Sequence, residues 1–286
     1  MAETTRWVFK LVVDILLIVL IVSLSITLRQ VGVPFHRGFF CDDQSLMHPF
    51  KSGTVSAAVL YGVGFALPSA FIIGIESFLV YKNKDQTGAP RNDLLLKMVR
   101  QSFDYLVPFF FGAAVTHMTT NIPKYAVGRL RPHFFAICQP DWARINCSDG
   151  NRYITEDVCT GTDVKAIQEA RVSFPSGHAS EAVYTMVFLM IYLQMKLTWS
   201  GLALLRPTLQ TGLFYMAFYT CLSRISDYKH HWSDVLAGAI LGLVVALLVT
   251  YKVTPFDRER RKVQEQTAQK RNSTQVLKED NENTNL

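Results

Sequence analysis

The sequence predicts an all-α, polytopic membrane protein: a bundle of six transmembrane helices. Composition, hydropathy and cysteine usage predict it. Hydrophobic residues are 49% of the 286 and charged residues only 18%, against about 25% charged in soluble domains. Mean hydropathy is +0.17, and the apolar residues fall in long blocks instead of alternating with charge. Five cysteines are too few to staple a chain of this length. Together these exclude a disordered chain and a coiled coil. They also exclude a basic nucleic-acid-binding domain, despite the net charge of +6.

A helix crosses a bilayer with about 20 mostly apolar residues. Six stretches meet or approach that length: Val8–Leu28, Val55–Val80, Tyr105–Ile122, Ala179–Met195, Thr208–Leu222 and Val235–Tyr251. The first carries Lys10 and Asp14 near one end, where side chains snorkel or pair. A cleaved signal peptide is its rival reading, but no small-residue cleavage site follows and the apolar run is too long. The third and fifth are short and rich in Thr, Tyr and Phe, which suits the inside of the bundle. From Thr254 large apolar residues almost vanish, so the chain divides into a membrane domain, 1–253, and a solvated, disordered cytoplasmic tail, 254–286.

Loop charge sets the orientation. Lys82–Ser102 holds five cations (Lys82, Lys84, Arg91, Lys97, Arg100) and the tail from Lys252 holds eight, whereas Gln30–Thr54 holds only Arg37 and Lys51. Six spans then put both termini in the cytoplasm and loops one, three and five outside. Loop three, Pro123–His178, is also basic, so something other than topology explains its cations. It carries the glycosylation sequon at Asn146. The matching sequon at Asn272 lies in the tail, and charge counting favours Asn146. Cys41, Cys138, Cys147 and Cys159 all fall in outward loops, where disulfides survive. Of the three pairings open to four cysteines, the one expected is the local pair Cys147 with Cys159. Cys221 reads as a small buried hydrophobe.

Three segments at helix ends hold polar residues that a membrane chain does not place casually. The first runs from Lys124 to Arg131 and Pro132. If span three continues as a helix, the seven-residue spacing puts both cations on one face, able to grip two oxygens of one anion. The second is Phe174 to Ser180, with Pro175, Ser176, Gly177 and His178 directly before span four. A helix N-terminus with a small Ser-Gly lead-in is a phosphate cradle, with the N–H groups of Ser176 to Ala179 pointing into it. The third leads from Ser223 and Arg224 to His230, His231 and Asp234. His230 and Asp234 stand at i and i+4, so on a helix they meet, and a carboxylate on Nδ1 leaves Nε2 with a free lone pair. His231 points away.

Metal binding competes for these histidines. Their spacing matches no zinc pattern, and a magnesium site needs several carboxylates. Lys124, Arg131 and Arg224 supply the positive charge instead, so neither a metal nor another cofactor is expected.

Lys-x6-Arg-Pro, Pro-Ser-Gly-His and Ser-Arg-x5-His-x3-Asp, in this order, resemble the signature motifs of the type 2 phosphatidic acid phosphatase family. Arg37 to Asp43 and Asp227 to Val235 make the chain similar to the animal lipid phosphate phosphatases among them, over about Thr5 to Val253. The resemblance implies the helical bundle of the acid phosphatase and vanadium haloperoxidase type. It implies His230 as nucleophile, Asp234 as its orienting carboxylate and His178 as general acid. Lys124, Arg131, Ser176, Gly177 and Arg224 would hold the phosphate. Implied substrates are phosphatidate, lysophosphatidate, sphingosine 1-phosphate and ceramide 1-phosphate, hydrolysed without magnesium. The partners expected are such lipids and the membrane itself, with no nucleic acid; a homo-oligomer is left open. The expected place is the plasma membrane with the site outside. Two rival classes are a transporter, for which only Glu76 and His117 lie deep enough, and a non-catalytic adhesion or scaffold protein, for which no Arg-Gly-Asp is present.

Overall fold

A computed structural model of the chain describes residues 2–84, 90–145, 147, 152–197 and 201–256. Among them, six helices of 20 residues or more dominate. They are α1 (Ala2–Val31), α2 (Ala57–Lys82), α3 (Arg91–Val127), α6 (Gly177–Lys196), α7 (Leu205–Ser226) and α8 (Trp232–Lys252). Two short helices, α4 (Phe134–Cys138) and α5 (Val164–Glu169), and a two-stranded antiparallel ribbon, β1 (Phe39–Phe40) with β2 (Tyr153–Ile154), complete the all-α fold. Each predicted span falls within one long helix, save that α2 starts at Ala57. There Ser56 caps it by accepting the Val59 N–H.

Three helices are long and apolar enough to cross a membrane by length and composition: Thr4–Val31, Ala57–Lys82 and Trp232–Lys252. The other three carry more polar side chains because they build the interior. α6 packs against α8, α7, α3 and α2, and its Tyr184, Phe188 and Tyr192 are fully buried. The contact with α8 is backbone-close. A Cβ at Gly238 or Gly242 would collide with the carbonyls of Ser176 or Ser180, the small-residue contact that membrane helices favour. Around this core, α1 packs on α3 and otherwise exposes Val12, Leu16, Val19 and Leu20, while α7 exposes Phe214, Tyr215, Phe218 and Tyr219. Apolar surface of this extent belongs in hydrocarbon. The protein is a membrane protein.

Some polar groups inside the bundle find partners there. Glu76 accepts from the Tyr192 hydroxyl at 2.9 Å and pairs with Lys196 at 3.3 Å. His117 Nδ1 lies 3.4 Å from Glu181 and 3.3 Å from the Tyr61 hydroxyl.

At one end of the bundle the loops form a second core around Phe39, Leu130, Phe134, Phe135 and Ile154. Two disulfides tie it, Cys41–Cys147 and Cys138–Cys159. The expected Cys147–Cys159 bond does not form. A backbone bridge between Pro140 and Cys159, and the Thr160 N–H on the Cys138 carbonyl, lay Cys159 beside Cys138. Cys41, next to β1, takes Cys147 instead. Chain alignment, not sequence separation, chooses the partners. Asn146 and most of the tail, from residue 257, lie outside the described residues.

Candidate active site

All three segments converge at this looped end. Helix α3 delivers Lys124 in its last turn and stops at Gly128, whose φ of 57° is left-handed. A side chain there would strike the Phe35 carbonyl, so Gly alone fits. The stop corrects one expectation: Arg131 does not share a helical face with Lys124 but arrives on the loop beyond. That loop is registered by two backbone bonds. Arg131 N–H donates to Ala170 and Ser173 N–H to Arg129, both at 2.8 Å. The first segment therefore lies beside the lead-in to the second. Arg131 is buried and pairs with Glu169 of α5 at 3.2 Å.

The second segment starts α6. Ser176 is its N-cap, its hydroxyl accepting the Ala179 N–H, while its own N–H donates to the Asp234 carbonyl at 2.9 Å. The cradle is thus narrower than Ser176 to Ala179. What remains are the N–H groups of Gly177 and His178, which as the first helical residues have no intrahelical acceptor. Lys124 Nζ lies 3.2 Å from where a Gly177 Cβ would sit, so the missing side chain lets the ammonium reach the helix N-terminus. His178 makes a backbone hydrogen bond with Val55. Its Nε2 is buried and unpartnered, so Nδ1 makes that bond.

The third segment ends α7 at Arg224 and enters α8 through a turn in which Tyr228 takes a positive φ. His230 sits in this turn, not on a helix. Its Nδ1 lies 2.7 Å from the Ser173 carbonyl; a carbonyl only accepts, so Nδ1 carries the proton and Nε2 keeps its lone pair. The expected direct bond to Asp234 is absent. Ser173 stands between, its hydroxyl donating to Asp234 at 2.6 Å and lying 3.4 Å from His230 Nδ1. The i, i+4 argument failed because His231, with φ −69° and ψ 154°, breaks the helix between them. Asp234 is fully buried. It also accepts from Arg129 at 2.5 Å and from the His231 N–H at 3.1 Å. His231 Nε2 turns to the Leu130 carbonyl.

The three segments lie within the stretch that matches the PAP2 superfamily, residues 105–258, more than half of the chain. The chain belongs to the PAP2 superfamily. It is 42% identical to phospholipid phosphatase 1 of Rattus norvegicus over 247 residues, 86% of this chain and 85% of that one. It is 41% identical to the phospholipid phosphatase 2 of the same species over 256 residues, 89% of each chain. To the human phospholipid phosphatase 2 it is 40% identical over 256 residues, covering 89% and 86%. No solved structure matches it.

Four residues that the structure brings to this candidate site were not singled out from the sequence: Arg129, Ser173, Asp227 and Thr54. Arg129 lies inside the first segment, and Asp227 stands three residues after Arg224, so spacing held a signal for both. Ser173 and Thr54 meet their partners only where separate loops pack together, which leaves no pattern in sequence. Among the described residues, no three His, Cys, Asp or Glu side chains gather as metal ligands.

The charges of this candidate site act on one another. Burial, then Arg131 and Lys124, holds His230 well below the usual histidine range. Burial, then Arg224, Lys124 and Arg131, lowers His178 to about 4. Both imidazoles are therefore neutral near pH 7. Burial, then Arg131, lowers Lys124 to about 8, so its charge is complete below that pH and is lost as pH rises through it. Since kcat/KM reports the free enzyme, it is expected to fall above about pH 8. Lys124→Arg moves that limb to higher pH, as a guanidinium stays charged. A pH profile of kcat/KM for both proteins checks this, and an unmoved limb would take the role from Lys124.

Proposed function

We propose that the protein is a lipid phosphate phosphatase. It hydrolyses the phosphomonoester of phosphatidate, lysophosphatidate, sphingosine 1-phosphate and ceramide 1-phosphate through a phosphohistidine, without metal, and so attenuates lipid-phosphate signals. One observation carries it. Two histidines, each held at Nδ1 by a backbone carbonyl, stand beside three cations and a helix N-terminus. The names of its phospholipid phosphatase relatives support the same class.

His230 Nε2 attacks phosphorus in line, forming the N–P bond as the P–O ester bond breaks. Lys124, Arg131, Arg224 and the cradle N–H groups stabilise the charge on the equatorial oxygens. A bound phosphate dianion offsets the cations that depress His178, so His178 gains a proton on binding and gives it to the departing alkoxide. It then takes a proton from water, which attacks phosphorus and frees His230. Arg131 must exchange Glu169 for phosphate. The cations supply the charge that metal would otherwise bring. Activity is therefore expected to survive excess EDTA and to be blocked by vanadate, whose trigonal-bipyramidal adduct imitates the transition state. Loss on chelation, restored by magnesium or zinc, would sink the mechanism.

All six long helices would cross the bilayer, with the phosphatase domain at 1–253, both termini and the tail 254–286 in the cytoplasm, and the site at the outer face of the plasma membrane. Disulfides at the looped end suit that side. Asn146→Gln should abolish a glycosidase-sensitive mobility shift and Asn272→Gln leave it. The reverse outcome inverts the topology.

A further inference from the structure

The segment between β1 and α2 belongs to none of the three motifs, yet it is fastened to the site at every turn. His48 N–H donates to the Pro132 carbonyl at 3.1 Å, and its ring stacks on Tyr228 at 4.4 Å. Phe50 meets His133 edge-on at 5.3 Å and carries Lys229 over its face at 3.9 Å. Lys51 donates to the Ser226 carbonyl at 3.3 Å. The last two contacts before α2 reach the chemistry. Thr54 grips both oxygens of Asp227, its N–H on Oδ2 at 2.7 Å and its hydroxyl on Oδ1 at 2.8 Å. Asp227 Oδ2 in turn accepts from Arg224 Nη2 at 3.0 Å. One residue on, Val55 makes the backbone hydrogen bond to His178.

We propose that Thr54 and Asp227 are positioning residues for phosphate binding: a clasp that locks the first loop onto the site, aims Arg224 and sets the Val55 carbonyl against His178. The clasp rests on Arg224 being a phosphate ligand, as above. Arg224 is buried, and a buried guanidinium needs a fixed carboxylate to hold its fork in one orientation. Asp227 is that carboxylate. It has no freedom of its own while Thr54 occupies both oxygens. Because Val55 follows Thr54 directly, releasing the clasp also frees the carbonyl that leaves His178 Nε2 available. One element thus couples a phosphate ligand to the leaving-group acid.

The test uses the full-length protein in detergent, with vanadate as probe of the phosphate site and an aryl phosphate as substrate. Vanadate inhibition constants do not depend on how much protein folds. Asp227→Asn is expected to weaken vanadate by ten-fold or more, and Thr54→Val by a few-fold. Thr54→Ser, which keeps the hydroxyl, should restore near wild-type affinity. The double variant Thr54→Val, Asp227→Asn should be no weaker than Asp227→Asn alone, because both break one connection. Full vanadate affinity in folded Asp227→Asn, or losses that simply add, would overturn the clasp. Arg224→Lys separates this from the underlying reading. If it leaves vanadate affinity intact, Arg224 is no phosphate ligand and the site assignment itself fails. If it weakens vanadate while Asp227→Asn does not, only the clasp fails.

Discussion

His230→Ala is expected to remove all turnover and all phosphoenzyme, whatever the leaving group, whereas His178→Ala is expected to lose activity selectively. The difference follows from their positions. His230 is fixed by Ser173 in the turn before α8, and His178 stands at the mouth of α6 with its Nε2 unpartnered. An alkoxide leaves poorly, so losing its acid should cost lipid phosphates the full general-acid effect, about 10²–10⁴-fold. An aryl phosphate leaves well without a proton and should recover part of that loss. His178→Ala should also still form an acid-labile phosphoenzyme. Rapid-quench labelling with both substrates reads both effects. A phosphoenzyme in His230→Ala, or equal losses on both substrates in His178→Ala, would reverse or merge the two roles.

Asp234 is expected to act through Ser173, and this makes a second large effect. Where a carboxylate bonds the catalytic histidine directly, its change to amide costs about 10⁴-fold in kcat. Here a hydroxyl intervenes, so Asp234→Asn should lose less activity, about 10²-fold, if the indirect link transmits only part of that effect. Ser173→Ala should lose a comparable factor, and the double variant no more than the worse single one. Asp234→Ala is a different case. It strands Arg129 and the His231 N–H around a fully buried position, and breaking a buried pair costs about 3–5 kcal/mol. Its readout is thermal stability, with a drop of several degrees in Tm. If Ser173→Ala is fully active while Asp234→Asn is not, the relay through Ser173 is wrong.

Much of the fold was legible because hydrocarbon imposes a simple demand. A chain that spans it must be helical and apolar for about 20 residues, and such blocks stand out in sequence. The candidate site residues stood out for a related reason. Lys124, Arg131, His178, Arg224 and His230 are costly to place near a membrane, so chemistry is the economical account of them. Two of the errors, over Arg131 and over the His230–Asp234 bond, share a cause. Arguments from helical spacing assumed that helices run on through the motifs, and they stop: α3 at Gly128, α7 at Ser226, with α8 beginning only at Trp232. The distances that matter therefore cross between loops.

Sequence by itself determined the membrane class, the helices, and which cations and histidines stand at the helix ends. Those follow from local composition and from the cost of burying charge. Only the tertiary structure decided which groups touch. It set Ser173 between Asp234 and His230, gave Arg129 to Asp234, paired Cys41 with Cys147, and laid the Thr54 loop across Arg224 and His178. Each of these contacts joins residues from different elements through a hydrogen bond or disulfide with a narrow distance and direction. Such geometry exists only once helices and loops have packed, because no spacing along the chain encodes it.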